Sequence, residues 1–213
     1  MGRAAKFTEE QLLDTALGLV AAGGPAAATV TAVAATLDAP VGSIYHRFRS
    51  RDVLLARLWV RTVQSFQQGF LAALADDDLD RAALRAALHS LEWVREHVEQ
   101  ARLLLLHRRE DLLAAGWPED LSAEAASLNS AAERAVRAHA SARYGDSDET
   151  SFARVRFALV DIPQAAVRRY LAANASPPPI ADELVTEACR CILGIAADDT
   201  TTNDEAPGNE TGA

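Results

Sequence analysis

The sequence predicts an all-α fold, and three observations carry that prediction. Ala and Leu dominate an apolar content of 49% while aromatics stay at 6%, a balance that favours helix. Apolar residues recur at helical spacing through most of the chain, and no run alternates Val, Ile or Thr as a strand would. Helix start and stop signals punctuate the chain at intervals that allow about nine helices in 213 residues.

The first helix opens with a Thr8–Gln11 capping box and a Phe7–Leu12 staple. Leu12, Leu13, Ala16, Leu17 and Val20 mark its apolar face, and Gly23-Gly24-Pro25 stops it. Thr29 suits the N-cap of a second helix that turns Val30, Val33, Ala34 and Leu37 inward. A break at Asp38-Ala39 follows, and Pro40 suits the first turn of a short third helix. Ser50 caps a long fourth helix, which runs through Val53, Leu58, Phe66 and Phe70 to Leu74 and the acidic turn Asp76-Asp77-Asp78.

Further helices are expected over about 80–96, 99–113 and 119–143, with Gly116-Trp117-Pro118 between the last two. A helix over about 150–173 contains Pro163, which should bend it or open its hydrogen-bond ladder. Pro177-Pro178-Pro179 precedes a last helix over about 180–195. The segment 198–213, of Thr, Asp, Glu and Gly, is expected to be a disordered acidic tail.

The formal charge of −9 opposes a nucleic-acid partner when taken whole, but its distribution does not. Up to Arg61, seven basic residues (Arg3, Lys6, Arg47, Arg49, Arg51, Arg57, Arg61) face five acidic ones (Glu9, Glu10, Asp14, Asp38, Asp52). That leaves +2 on this segment and −11 on the remainder. A mildly basic head on an acidic body presents one face to a polyanion and repels it elsewhere.

The stretch Val41–Phe48, VGSIYHRF, is the most informative of the chain. Ile44 and Phe48 share an apolar face, which leaves Ser43, Tyr45, His46 and Arg47 on the other side. A helix this short is stable only when held against neighbours. With the preceding helix of about eight residues and a three-residue break, it forms a candidate helix-turn-helix whose first turn can enter a major groove. Gly42 and Ser43 let the backbone come close, and Tyr45 and His46 reach phosphates or base edges. Thr29 and Thr31 offer hydroxyls at a helix N-terminus, and Arg51 adds charge. Arg47 and Arg49 raise the local potential, and Lys6 with Arg3 supplies an amino-terminal arm. Each of these residues also has a plainer role, in packing or on a solvated surface.

The wording of this region, TVTAVAATLDAPVGSIYHRFRSRDVLLARLW, resembles the Tet repressor (TetR) family of transcriptional regulators over Phe7–Leu58, about a quarter of the chain. The resemblance implies DNA contacts from Thr29, Thr31, Gly42, Ser43, Tyr45, His46 and Arg51, the last in place of the usual Lys. Asp38 stands where the family prefers a turn glycine, which requires Asp in a left-handed or adjusted conformation. Pro40 removes a hydroxyl at a usual Ser position. Val41 replaces a polar or basic residue, which implies an apolar contact such as a thymine methyl.

The resemblance further implies a helix-turn-helix DNA-binding domain over 1–50, joined to a helical effector-binding and dimerisation domain over 51–197. The homodimer would form through the last two long helices. The expected partners are a double-stranded, palindromic operator and an unknown small-molecule effector, with derepression on binding. Phe66, Phe70, Trp93, Leu103, Leu104, His107, Trp117 and Phe157 are the candidate effector-binding residues, and their apolar character implies a hydrophobic molecule.

Several classes are not supported. An enzyme is not expected, because the chain has no Gly-rich phosphate loop, no Ser-His-Asp wording and no His-Glu-x-x-His. No cofactor and no metal are expected, since His89, His97, His107 and His139 are scattered and Glu96 and Glu110 do not gather them. Cys189 and Cys191, two apart on a helix, point about 200° away from each other and cannot form an intrachain bridge. They read as thiols in a reducing cytosol. The start MGRAAKFTEE has no apolar core of a signal peptide, Lys6 removes a myristoylation pattern, and no apolar run spans a membrane, so the expectation is cytoplasmic. The alternative function is a helical interaction protein whose head no longer binds DNA.

Overall fold

The computed structural model describes residues 7–107, 112–113, 116–145 and 148–196. Among them are nine helices and no strand. They are α1 (Glu9–Gly23), α2 (Val30–Thr36), α3 (Val41–Tyr45), α4 (Arg51–Leu74), α5 (Leu79–Glu96), α6 (Val98–Leu106), α7 (Glu119–Tyr144), α8 and α9 (Ile180–Leu193). A 3-10 turn, Pro25–Ala27, joins α1 to α2. Helix α8 is α-helical over Glu149–Arg156, widens to a π turn over Phe157–Asp161 and returns to α-helix over Ile162–Ala172.

Local chemistry explains most boundaries. At α1 the Thr8 side chain accepts from the Gln11 amide while the Gln11 side chain accepts from the Thr8 amide. Thr29 accepts from the Ala32 amide to start α2, and Ser50 from the Val53 amide to start α4. Pro40 sits one place before α3 as its N-cap, rather than in the first turn. Asp38 has φ +48°, the left-handed conformation its turn requires, and the Ala39 amide donates back to the Ala34 carbonyl. Pro163 lies just after the π turn, so the ladder opens without a break in the helix. The helix expected over 99–113 ends earlier, at Leu106. The tail over 198–213 and the arm residues Arg3 and Lys6 lie outside the described residues.

Two apolar cores organise these helices. The first gathers Leu12, Leu13, Leu17, Val33, Ile44 and Phe48 of the head with Leu54, Leu55 and Leu58 of α4. It also takes in Leu103, Leu112, Leu113 and Leu121, so the head is packed onto the body past residue 50. The second core runs from Phe70 through α5 and α7 to Val155, Leu159, Val167, Val185 and Cys189. Helix α4, 24 residues and about 36 Å long, belongs to both. Polar ties reinforce the join, with Arg57 and Gln64 of α4 both donating to Glu124 of α7 at 3.0 and 2.9 Å. No helix among the described residues is long and apolar enough to cross a membrane.

Candidate functional site

The exposed face of the head is built on α3. Ile44 is fully buried and Phe48 is 3% exposed, which anchors the five-residue helix in the first core. Burying that side turns Val41 and Tyr45, one helical turn apart, outward at 38% and 48% exposure. Gly42, Ser43 and His46 are exposed between and beside them. A side chain at Gly42 would meet nothing within 4 Å, so the glycine there keeps the backbone open to an approaching partner rather than relieving crowding inside the protein. The Ser43 hydroxyl donates to the Pro40 carbonyl at 2.7 Å, which leaves its oxygen lone pairs for an outside donor.

The surrounding residues divide by what they touch. Thr31 is exposed, while Thr29 is half-buried and its oxygen already caps α2. Arg47 donates to the Phe7 carbonyl at 2.5 Å and so ties the end of α3 to the start of α1. Arg51 donates to the Pro25 carbonyl at 2.6 Å and pairs with Asp52 at 3.3 Å. Both guanidiniums are turned inward as structural pins, a use that sequence spacing did not indicate. Arg57 pairs with Glu9 and Glu124, and Arg61 with Asp14. Arg49 is exposed. The basic head is therefore less free than its formal charge implies.

A second site lies in the body. A cavity of about 690 Å³ opens between α4, α5, α6, α7 and α8. Of the eight sequence-derived candidates, Phe66, Phe70, Trp93 and Leu104 line it. Phe66 stacks on Phe70 and meets Trp93 edge-on, so three of them form one aromatic wall.

The other four lie elsewhere, each for a local reason. Leu103 is 1% exposed in the head-side core, because it sits one residue, about 100°, around α6 from Leu104. Trp117 packs edge-on behind Trp59, with ring centres 5.2 Å apart, and only Trp59 reaches the cavity. His107 follows the end of α6 in extended backbone and is off the wall; burial, then the charge of Arg102, lowers its pKa. Phe157 is 52% exposed on the outer side of α8. Phe152 faces the cavity instead, and five residues turn a helix by about 140° between them.

The candidates also omitted Trp59, Val63, Gln67, Ser90, Phe152 and Gln164. The stripe Trp59-Val63-Phe66-Phe70 has regular helical spacing and was the available signal for the α4 wall. Nothing in the local sequence marks Gln67 or Ser90 as buried.

Residues 12–58 match the model of the tetR family of bacterial regulatory proteins. This stretch carries the sequence pattern of that family's amino-terminal domain. The match runs from within α1 through α3 to the first two turns of α4, and solved structures extend the likeness, in fold alone, to the body of the chain. A bacterial regulatory protein of the tetR family from Rhodococcus RHA1 is 20% identical, with a TM-score of 0.67, and the match covers 90% of this chain and 98% of that one. A fatty acid degradation regulator from Bacillus halodurans is 13% identical with a TM-score of 0.67, over 91% and 97% of the two chains. The ketosteroid transcriptional regulator of Mycobacterium tuberculosis is 19% identical with a TM-score of 0.63, over 90% and 97%. No curated protein matches the chain in sequence.

Proposed function

We propose that this chain is a TetR-family transcriptional regulator, a cytoplasmic repressor that binds a palindromic operator as a homodimer and is released by a small apolar effector. One observation carries the DNA reading: Ile44 of α3 and Phe48 just after it are buried completely enough to hold Val41, Gly42, Ser43, Tyr45 and His46 together on one exposed face. Val41 then meets a thymine methyl, and Tyr45 and His46 meet phosphates or base edges. Thr31 and the amino end of α2 take a neighbouring phosphate. Lys6 adds backbone charge from the arm.

The dimer forms through α8 and α9. Phe157, Ile180 and Leu184 support this, since among the described residues of the body they are the large apolar ones exposed in one protomer, at 52%, 49% and 58%. Two heads then address successive major grooves about one helical turn apart. Helix α4 couples the two sites, because it supplies the head's core at Leu54–Leu58 and the cavity wall at Trp59–Phe70. An effector that fits the cavity better at another tilt of α4 shifts the head spacing and lowers operator affinity by that difference in binding.

The inward-turned Arg47 and Arg51 favour the alternative, a helical interaction protein whose head has left DNA. Titration of the full chain with a selected palindromic duplex at several salt concentrations decides between them. Specific binding that weakens steeply with salt supports the regulator. Absence of binding at low ionic strength sinks it.

A further inference from the structure

The wall of the cavity holds an almost wholly buried polar group. Gln67 of α4 is 7% exposed, and its side-chain Oε1 has no hydrogen-bond partner among the described residues. Ser90 of α5, 3% exposed, lines the same cavity. Around them stand Phe70, Val94, Leu159 and Val167. A carboxamide kept unpartnered in such a wall is costly, and an apolar side chain of the same length would be more stable there in the empty protein.

The charged residues of the lining are placed differently. Glu133 and Arg156 are exposed, at the side of the cavity bounded by α7 and α8. Each already faces an opposite charge of this chain, Glu133 receiving Arg137 at 3.0 Å and Arg156 lying 3.5 Å from Asp161. The buried end is therefore polar but uncharged, and among the described lining residues no cation is without a carboxylate beside it for an acidic ligand.

We propose that the cavity selects an uncharged, largely apolar molecule that carries a hydroxyl, and that this hydroxyl donates to the Gln67 carboxamide at the buried end. A hydroxyl suits the site because it both donates and accepts, so it satisfies the amide whichever way the group is rotated. An acyl anion suits it less, since a carboxylate only accepts, so it could use the amide nitrogen alone and would stay unneutralised in an apolar wall. This inference rests on the effector reading of the cavity and adds the chemical class of the effector to it.

Calorimetric titration of the full chain with naphthol, naphthalene and naphthoate tests it, because the three share one ring system and differ only in the polar group. Naphthol is expected to bind about tenfold tighter than naphthalene, with naphthoate the weakest. Gln67→Leu is expected to bring naphthol down to the level of naphthalene while leaving naphthalene as tight or tighter. Gln67→Met should do the same and guards against a variant that fails to fold. If neither variant folds, the comparison of probes on the unaltered chain decides. Equal affinity for naphthol and naphthalene, a preference for naphthoate, or unchanged naphthol affinity in a folded variant overturns the inference and leaves the cavity as an effector site. Binding of none of the three overturns the effector reading as well.

Discussion

The guanidinium of Arg51 donates across 2.6 Å to the backbone carbonyl of Pro25, and so clamps the first turn of α4 to the 3-10 turn that leads into α2. The side chain remains 26% exposed, so one residue holds the head together and still adds charge at its surface. Arg51→Ala is expected to cost about 1 kcal/mol, since a hydrogen bond from a charged donor is lost and its partner is only partly shielded. In a chain of this size that lowers the thermal midpoint by about 2–4 °C. The salt slope of operator binding should also become shallower by about one unit. A melt shift with an unchanged slope would assign Arg51 to the clamp alone and remove it from the DNA interface.

Tyr45 separates recognition from folding more cleanly. It is 48% exposed, and the helix that carries it is anchored by Ile44 and Phe48. Tyr45→Ala should therefore leave the melting temperature within the range of an ordinary surface change, about 0.5 kcal/mol. Operator affinity, measured by fluorescence anisotropy, is expected to fall roughly tenfold through loss of a phosphate or base contact. Unchanged affinity would count against α3 as the reading helix.

Two glycines in helix interiors are expected to respond in opposite senses to alanine. A Cβ at Gly69 would clash with Cε1 of His89 and lie 2.8 Å from its Nδ1. That ring is also fixed, because its Nε2 donates to the Phe66 carbonyl at 2.8 Å. Better helix propensity offers about 1 kcal/mol, against about 1–3 kcal/mol for overpacking. Gly69→Ala should thus destabilise, and it should disturb the aromatic wall beside the cavity. At Gly18 a Cβ meets nothing within 4 Å, so Gly18→Ala should stabilise by up to about 1 kcal/mol. Denaturant melts of the two variants that moved in the same direction would contradict the packing of α5 on α4.

His139 supplies an acid-sensitive point in the second core. His139 is 4% exposed and its Nε2 has no hydrogen-bond partner among the described residues. Burial lowers its pKa below 6.5, the nearby Arg143 lowers it further, and Asp80 opposes both. The unfolded chain thus binds a proton at higher pH than the folded one. This contribution to stability is intact well above pH 6.5 and is lost as the pH falls through that value. Melting temperatures of the wild type should therefore drop between about pH 7 and pH 5, and His139→Asn should flatten that part of the profile. An identical slope in the variant would place the acid sensitivity elsewhere.

How legible the molecule is from sequence depends on the range of the interaction involved. Caps, stops and the α3 amphipathy are local, so Thr8, Thr29, Ser50 and Asp38 could be assigned from neighbours within a few residues. The cavity is not local. Leu103 and Leu104 differ only by one step around α6, yet one joins the head-side core and the other the cavity wall. Phe152 and Phe157 are both plausible liners by composition, and helix phase alone puts the second outside.

The sequence by itself determined the all-helical class, the helix-turn-helix, the exposed face of α3 and the likeness of residues 12–58 to the tetR family, because each rests on hydrophobic period, capping chemistry and a contiguous motif. Only the tertiary structure decided that Arg47 and Arg51 turn inward to distant carbonyls, that Gln67 Oε1 lies without a partner among the described residues at the cavity wall, and that the head's core runs on into α4 and α6. Those outcomes depend on which helices meet and at what rotation. Contacts between residues tens of positions apart set that geometry, and no local pattern encodes them.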